Sequence, residues 1–223
     1  MSRNTSTLPM PPVVDADTWK AALNIQVEVE DELMEHVRIA AAARRRMPMT
    51  PVQGNYTFIG SEGEVTFADL FNSHHQLAIY HFMYAPEWSK GCPHCTQYAR
   101  NLGPGINDVL GKRDARFILT SRAPYEKLAE WAEAKDISTP WYSAPRSFSE
   151  EMEVINDSFG DFPGLSVFFR DDDNTVYRAW RTDGATVEMT MPSSGLLRMT
   201  PYGMQEKTED SPPGWPQPFE PLG

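Results

Sequence analysis

Hydrophobic positions along this chain change period several times, and each change marks an element. Between Asp15 and Arg46 the apolar residues Trp19, Leu23, Val27, Leu33, Met34 and Val37 recur at roughly helical spacing on a charged background. The pattern predicts a long amphipathic helix that Asp15 or Asp17 caps and that Pro48 and Pro51 end. Arg44, Arg45 and Arg46 fall at the negative end of its dipole, as a solvated helix end or a docking patch for an acidic partner. Tyr56 to Ile59 reads as a short strand, Gly60 to Gly63 as a turn, and Val65 to Phe71 as a short helix. Leu77 to Tyr84 is apolar on both faces apart from His81, the signature of a central strand in a covered sheet. Arg116 to Ser121 and Leu165 to Phe169 repeat that signature. A helix-compatible segment, Thr96 to Leu110, is interrupted by Gly103, Pro104 and Gly105; a second helix, Pro124 to Lys135, carries Leu128 and Trp131 on one side. After the polar turn Asp171 to Asn174, Thr175 to Trp180 is placed to pair back as an antiparallel strand.

Both cysteines of the chain, Cys92 and Cys95, lie at the junction between the first buried strand and the interrupted helix. A Cys-x-x-Cys pair there is the sequence form of a thioredoxin-like redox site. The first sulfur sits at the helix start, where backbone N–H groups and the helix dipole favour its thiolate; the second lies one turn further in. Strands separated by helices and closed by a hairpin then predict an α/β fold, a thioredoxin-like three-layer sandwich with a mixed central sheet. A long N-terminal helix and an irregular Pro-rich C-terminal tail complete it. The expected organisation is an N-terminal tail and helical arm over 1–50, the thioredoxin-like domain over 51–205, and a tail over 206–223 containing Pro212, Pro213, Pro216, Pro218 and Pro221. Pro163, just before the third long strand, falls where this fold commonly carries a cis-proline facing the cysteines; the isomer of Phe162–Pro163 cannot be read from sequence.

Charge and composition narrow the partners. The net charge of −11 over 223 residues argues against nucleic-acid backbones and anionic membranes. No apolar run is long enough for a transmembrane helix, and Met1 to Pro12 lacks the apolar core of a secretory signal, so a cytoplasmic protein is expected. Two cysteines are too few for a disulfide framework.

Several blocks, in order, give a family resemblance: Tyr80-His81-Phe82-Met83, Gly91-Cys92-Pro93-x-Cys95, Ser121-Arg122-Ala123-Pro124, Pro140-Trp141-Tyr142-Ser143, Pro163 to Phe168 and Thr200-Pro201-x-Gly203. From roughly Val13 to Gln205 the chain resembles the bacterial thioredoxin-like domain-of-unknown-function 899 family. The resemblance implies a thioredoxin-like fold with an N-terminal helix and supplies no assigned reaction. Arg146-Ser147-Phe148-Ser149 stands where that family usually shows a Ser-Asp-Phe block. Pro93-His94 is similar to the dipeptide of strongly oxidising thioredoxin-fold proteins, where a histidine favours the thiolate and makes the disulfide more oxidising. Pro86-x-x-Ser89-x-x-Cys92 resembles the peroxidatic pattern of peroxiredoxins with one residue fewer between Pro and Ser, and Arg122 would then help an oxyanion.

These residues lead to a first reading of thiol–disulfide exchange without a cofactor, on a disulfide-containing protein or small thiol substrate. Cys92 attacks, Cys95 resolves, His94 tunes Cys92 and Pro163 shapes the groove, with Trp88, Pro93 and Arg122 at its rim. Thiol peroxidase chemistry is one alternative. Metal binding is another: Cys92 and Cys95 with His81, His94 or Met83 would suit copper or zinc, although a closed zinc site needs four ligands. A third alternative is a non-catalytic interaction module, with the helical arm and the Pro-rich tail mediating assembly; the N-terminal helix also offers a surface for a homo-oligomer. His81 also reads simply as a buried neutral histidine, and His74 and His75 as loop residues.

Overall fold

A computed structural model describes residues 9–158, 160–183, 185–206 and 209–216, so Pro218 and Pro221 lie outside the described residues. The chain divides into two compact units, one formed by the residues up to Met47 with those from Leu196, the other starting at Pro48 and running to Gly195.

In the first unit, helix α1 spans Ala16–Arg44. Asp15 caps it, its carboxylate accepting the Thr18 N–H at 2.8 Å, as the sequence pattern anticipates. No residue of α1 is buried. The C-terminal segment of this unit is tied to its N-terminal end where the Tyr202 hydroxyl donates to the Pro9 carbonyl at 2.7 Å. Tyr202 also meets Trp215 edge-on.

The second unit contains β1 (Thr50–Pro51), β2 (Thr57–Gly60), β3 (Gly63–Thr66), a 3-10 turn at Ala68–Phe71 and β4 (Gln76–His81). Helices α2 (Pro93–Asn101) and α3 (Ile106–Gly111) follow, then β5 (Ala115–Ser121), α4 (Tyr125–Ala134), β6 (Trp141–Ser143) and α5 (Arg146–Glu151). The short strands β7 (Ile155–Asn156) and β8 (Gly160–Asp161) pair with each other. Strands β9 (Gly164–Arg170) and β10 (Val176–Thr182) precede α6 (Ala185–Glu188) and α7 (Pro192–Arg198).

One eight-stranded sheet runs in the order β1-β10-β9-β4-β5-β6-β2-β3. At its centre β4 pairs in parallel with β5 and antiparallel with β9, which pairs antiparallel with β10. This mixed order, with a cysteine-bearing helix straight after the central strand, is the thioredoxin arrangement. Gly103, Pro104 and Gly105 break the helix-compatible segment into α2 and α3, as their poor helix propensity requires.

The stretch Val65–Phe71 departs from its predicted helix. Residues 63–66 instead form β3, the return strand of a hairpin in which Gly60 faces Gly63, and only Ala68–Phe71 is helical. Gly63 takes φ 99°, which closes the turn at no steric cost and draws Val65 into register with Phe58. The periodicity also leaves β6 unassigned: three residues are too short to show a period, and pairing to β5 and β2 creates the strand.

Successive side chains of β4 point to opposite faces, and a separate core fills each side. Leu77 and Ile79 join Phe58, Phe67, Phe71, Phe148 and Phe168 beneath α5 and the 3-10 turn. Tyr80 and Phe82 join Cys95, Tyr98, Ala99, Leu128 and Trp141 beneath α2 and α4. The three layers are thus one set of helices, the sheet, and a second, smaller helical layer.

Candidate redox active site

The site forms where β4 ends and α2 begins. Pro93 occupies the first helical turn, where its missing N–H costs nothing, and Cys92 becomes the N-cap with extended ψ 129°. The Met83 peptide holds the loop, its carbonyl accepting the Cys92 N–H at 3.1 Å. Gly91 admits the close approach of this loop: a Cβ there would lie 2.9 Å from Phe82 Cε1 and 2.9 Å from Trp131 Nε1.

Cys92 is half-buried and Cys95 is 1% exposed. Both are free thiols. The interaction between the two thiols sets the direction of proton loss. The Cys95 S–H donates to Cys92 and, with the Cys95 and His94 backbone N–H groups and a smaller electrostatic contribution from His94, lowers the Cys92 thiol to about 6 against the penalty of burial. Cys92 is thereby biased toward the thiolate at neutral pH. Donating to Cys92, burial and the Cys92 charge all push Cys95 upward, so it keeps its proton.

A polar shell supports the pair. Thr96 Oγ1 donates to the Cys92 carbonyl at 2.8 Å and accepts from Trp131 Nε1 at 3.1 Å, which ties α4 to the first turn of α2. The Tyr80 hydroxyl donates to Cys95 Sγ at 3.4 Å. None of Tyr80, Thr96, Trp131 or Gly91 was a candidate from the sequence. The signal for Tyr80 was parity: it shares a strand face with Phe82, and that face looks at α2.

The remaining candidates divide. His94 is exposed on the first turn of α2. Trp88 packs against the cysteine-side core, and its carbonyl accepts from Lys127 Nζ at 3.1 Å. Pro163 directly precedes Gly164, the partner of His81 at the end of β4, so the topology brings it to the cysteine end of the sheet. Arg122 is not an open rim residue. Its Nε donates to Asp161 at 2.6 Å, and its side chain is 12% exposed.

His81 separates from the cysteines altogether. It projects to the Phe148 side of the sheet, with ring centroids 5.9 Å apart, while its neighbours Tyr80 and Phe82 project to the Cys95 side. Its Nε2 bonds Ser166 Oγ at 2.8 Å and its Nδ1 lies 3.4 Å from Thr120 Oγ1, side-chain rather than backbone partners. Burial lowers its pKa to about 3, so it is neutral. The ligand set of Cys92 and Cys95 with His81 therefore does not assemble. Among the described residues no three His, Cys, Asp or Glu side chains converge on a metal-sized site. His74 and His75 lie in the loop before β4, and His75 Nδ1 bonds Asp114 at 2.8 Å.

Residues 8–217 match the family described as bacterial protein of unknown function (DUF899). The chain belongs to this family. None of the curated proteins compared with it matches. Among solved structures it is similar to peroxidoxin BcpB from Mycobacterium tuberculosis, at 17% identity over 58% of this chain and 83% of that one, with a TM-score of 0.43. It is also similar to a cysteine-to-serine mutant of PrxQ from Xylella fastidiosa, at 11% identity over 68% and 97% of the two chains and a TM-score of 0.44. The mitochondrial 2-Cys peroxiredoxin of Plasmodium falciparum gives 12% identity over 68% and 90%, again with a TM-score of 0.44. Among the described residues no helix of this family member is long and apolar enough to cross a membrane.

Proposed function

We propose that this DUF899 protein is a cytoplasmic thiol–disulfide oxidoreductase that uses the Cys92-Pro93-His94-Cys95 dithiol. The observation that carries the reading is the placement of two free sulfurs: a half-buried Cys92 at the N-cap of α2, where helix-start N–H groups favour its thiolate, and a buried Cys95 that keeps its proton. Cys92 attacks a substrate disulfide and displaces the first substrate thiolate. Cys95 then attacks the Cys92 sulfur of the mixed disulfide, the second substrate sulfur leaves with the bonding pair, and the Cys95 proton neutralises it. Substrate is reduced by two electrons and the dithiol is oxidised by two. Pro163 at the cysteine end of the sheet and Trp88 beside the loop contribute walls to the groove.

The test is disulfide exchange with a model disulfide together with the pH dependence of Cys92 alkylation. The alkylation midpoint is expected near pH 6, well below the free-thiol value of about 8.5. Cys92→Ser should lose turnover completely, and Cys95→Ser should accumulate a mixed disulfide that mass spectrometry detects. Wild-type exchange rates in both variants would overturn the reading.

A further inference from the structure

The dithiol mechanism leaves one buried polar group unused. Tyr80 sits in the middle of the central sheet, 4% exposed, and its ring stacks on Tyr98 at 4.0 Å between centroids and 20° between planes. Tyr98 is itself anchored, its hydroxyl 2.7 Å from Thr190 Oγ1, which donates onward to the Val187 carbonyl. The stack fixes where the Tyr80 hydroxyl points, and it points at Cys95 Sγ, 3.4 Å away.

That sulfur faces a problem only in the second half of the reaction. While Cys92 is free, it carries the negative charge and Cys95 is a neutral donor. Once Cys92 is bound in a mixed disulfide, the nucleophile must be Cys95, and its charge develops in a buried site where an unpaired anion is costly. A preset donor aimed at the sulfur, the Tyr80 hydroxyl, lowers that cost without reorganisation.

We propose that Tyr80 is a catalytic residue: its hydroxyl is a preset donor that receives the developing charge of Cys95 as this thiol resolves the mixed disulfide. The proposal rests on the dithiol-exchange reading and deepens it. Tyr80 acts as a donor and not as a base. Burial and the adjacent thiols push its own ionisation well above the ordinary tyrosine range, so the hydroxyl keeps its proton throughout. In this step the Cys95–Cys92 bond forms, the bond from Cys92 to the substrate sulfur breaks, and the Cys95 proton ends on the departing thiol.

A single-turnover reaction of the reduced full-length protein with an aromatic bis(nitrobenzoate) disulfide separates the halves. Each released thiolate absorbs visible light, so Cys92 attack gives a first phase and Cys95 resolution a second. Tyr80→Phe keeps the stacked ring and removes the donor. It should slow the second phase by about tenfold or more, the loss expected for one hydrogen bond to a charged group. The first phase should keep its amplitude and nearly its rate. As an independent measurement, adding Tyr80→Phe to Cys92→Ser should raise the alkylation midpoint of Cys95 by about one pH unit or more.

An unchanged second phase, or an unmoved Cys95 midpoint, would overturn the role of Tyr80. Equal slowing of both phases would also overturn it, since that marks a general effect on the scaffold. A wild-type protein that attacks but never releases the second thiolate would overturn the exchange reading itself, a different result that removes this proposal with it.

Discussion

The two faces of the central sheet treat buried polar groups in opposite ways. On the Phe148 side, His81 lies between the Phe148 ring and two hydroxyl groups, is held neutral, and is turned away from the cysteines. On the other side, one residue along the same strand, Tyr80 reaches the sulfur that must become an anion. The Phe148 side is built from edge-on ring contacts: Phe148 meets Phe58 at 4.9 Å and Phe67 at 5.3 Å. The cysteine side interleaves rings with donors, as in Trp131 to Thr96 and Trp141 Nε1 to Ser121 Oγ. One face supplies stability and the other spends polar contacts on positioning. Local residue type does not separate them, since both are rich in aromatic residues; the side to which each residue projects does.

Variants on each face sharpen that contrast. The largest stability effect should come from Phe148→Ala, which empties a fully buried site among five aromatic partners and should cost about 3–5 kcal/mol in urea unfolding. The Cys92 alkylation midpoint should stay at its wild-type value in the folded variant; a shift would show that the faces are coupled. Gly91→Ala should reverse the pattern. Its new Cβ meets Phe82 and Trp131 at 2.9 Å, so the expected cost is smaller, about 1–3 kcal/mol, while the disturbed loop should slow Cys92 alkylation more than the stability loss explains.

His81 predicts a pH signature for the Phe148 face. Its folded pKa, about 3, lies below the unfolded value of about 6.5. Below pH 6.5 the unfolded chain takes up a proton that the folded chain refuses, so stability falls as pH falls, by up to about 1.4 kcal/mol per pH unit from this group. The gap in unfolding free energy between wild type and His81→Asn should therefore change with that slope between pH 6 and pH 5. A constant gap would place a charged His81 in the folded protein. The smallest effect should be His94→Ala. His94 ranks last among the influences that lower Cys92, behind the Cys95 thiol and two backbone N–H groups. The alkylation midpoint should rise by less than one unit, and the disulfide should become slightly harder to reduce, by under about 30 mV.

Much of this protein was legible in its sequence because the relevant signals are local. Asp15 caps α1 from three residues away, and Gly103-Pro104-Gly105 must interrupt a helix. The apolar run from Leu77 belongs in a covered sheet, and a Cys-x-x-Cys after it places one sulfur at a helix start. Those features depend on spacing, propensity and the direction of peptide dipoles, all fixed within a few residues.

Pairing and packing decided the rest. Strand β3 replaced a predicted helical turn because Gly60 and Gly63 close a hairpin, and β6 exists because β5 and β2 flank it. His81 was an alternative ligand beside the cysteines and Tyr80 had no assigned role until β4 acquired neighbours; strand alternation then sent the histidine to one core and the phenol to the other. Arg122 became a partner of Asp161, although 39 residues separate them in the chain. Which sulfur carries the charge also depends on the fold, because the buried depth of Cys95 and its contact with Tyr80 exist only once α2 packs against β4.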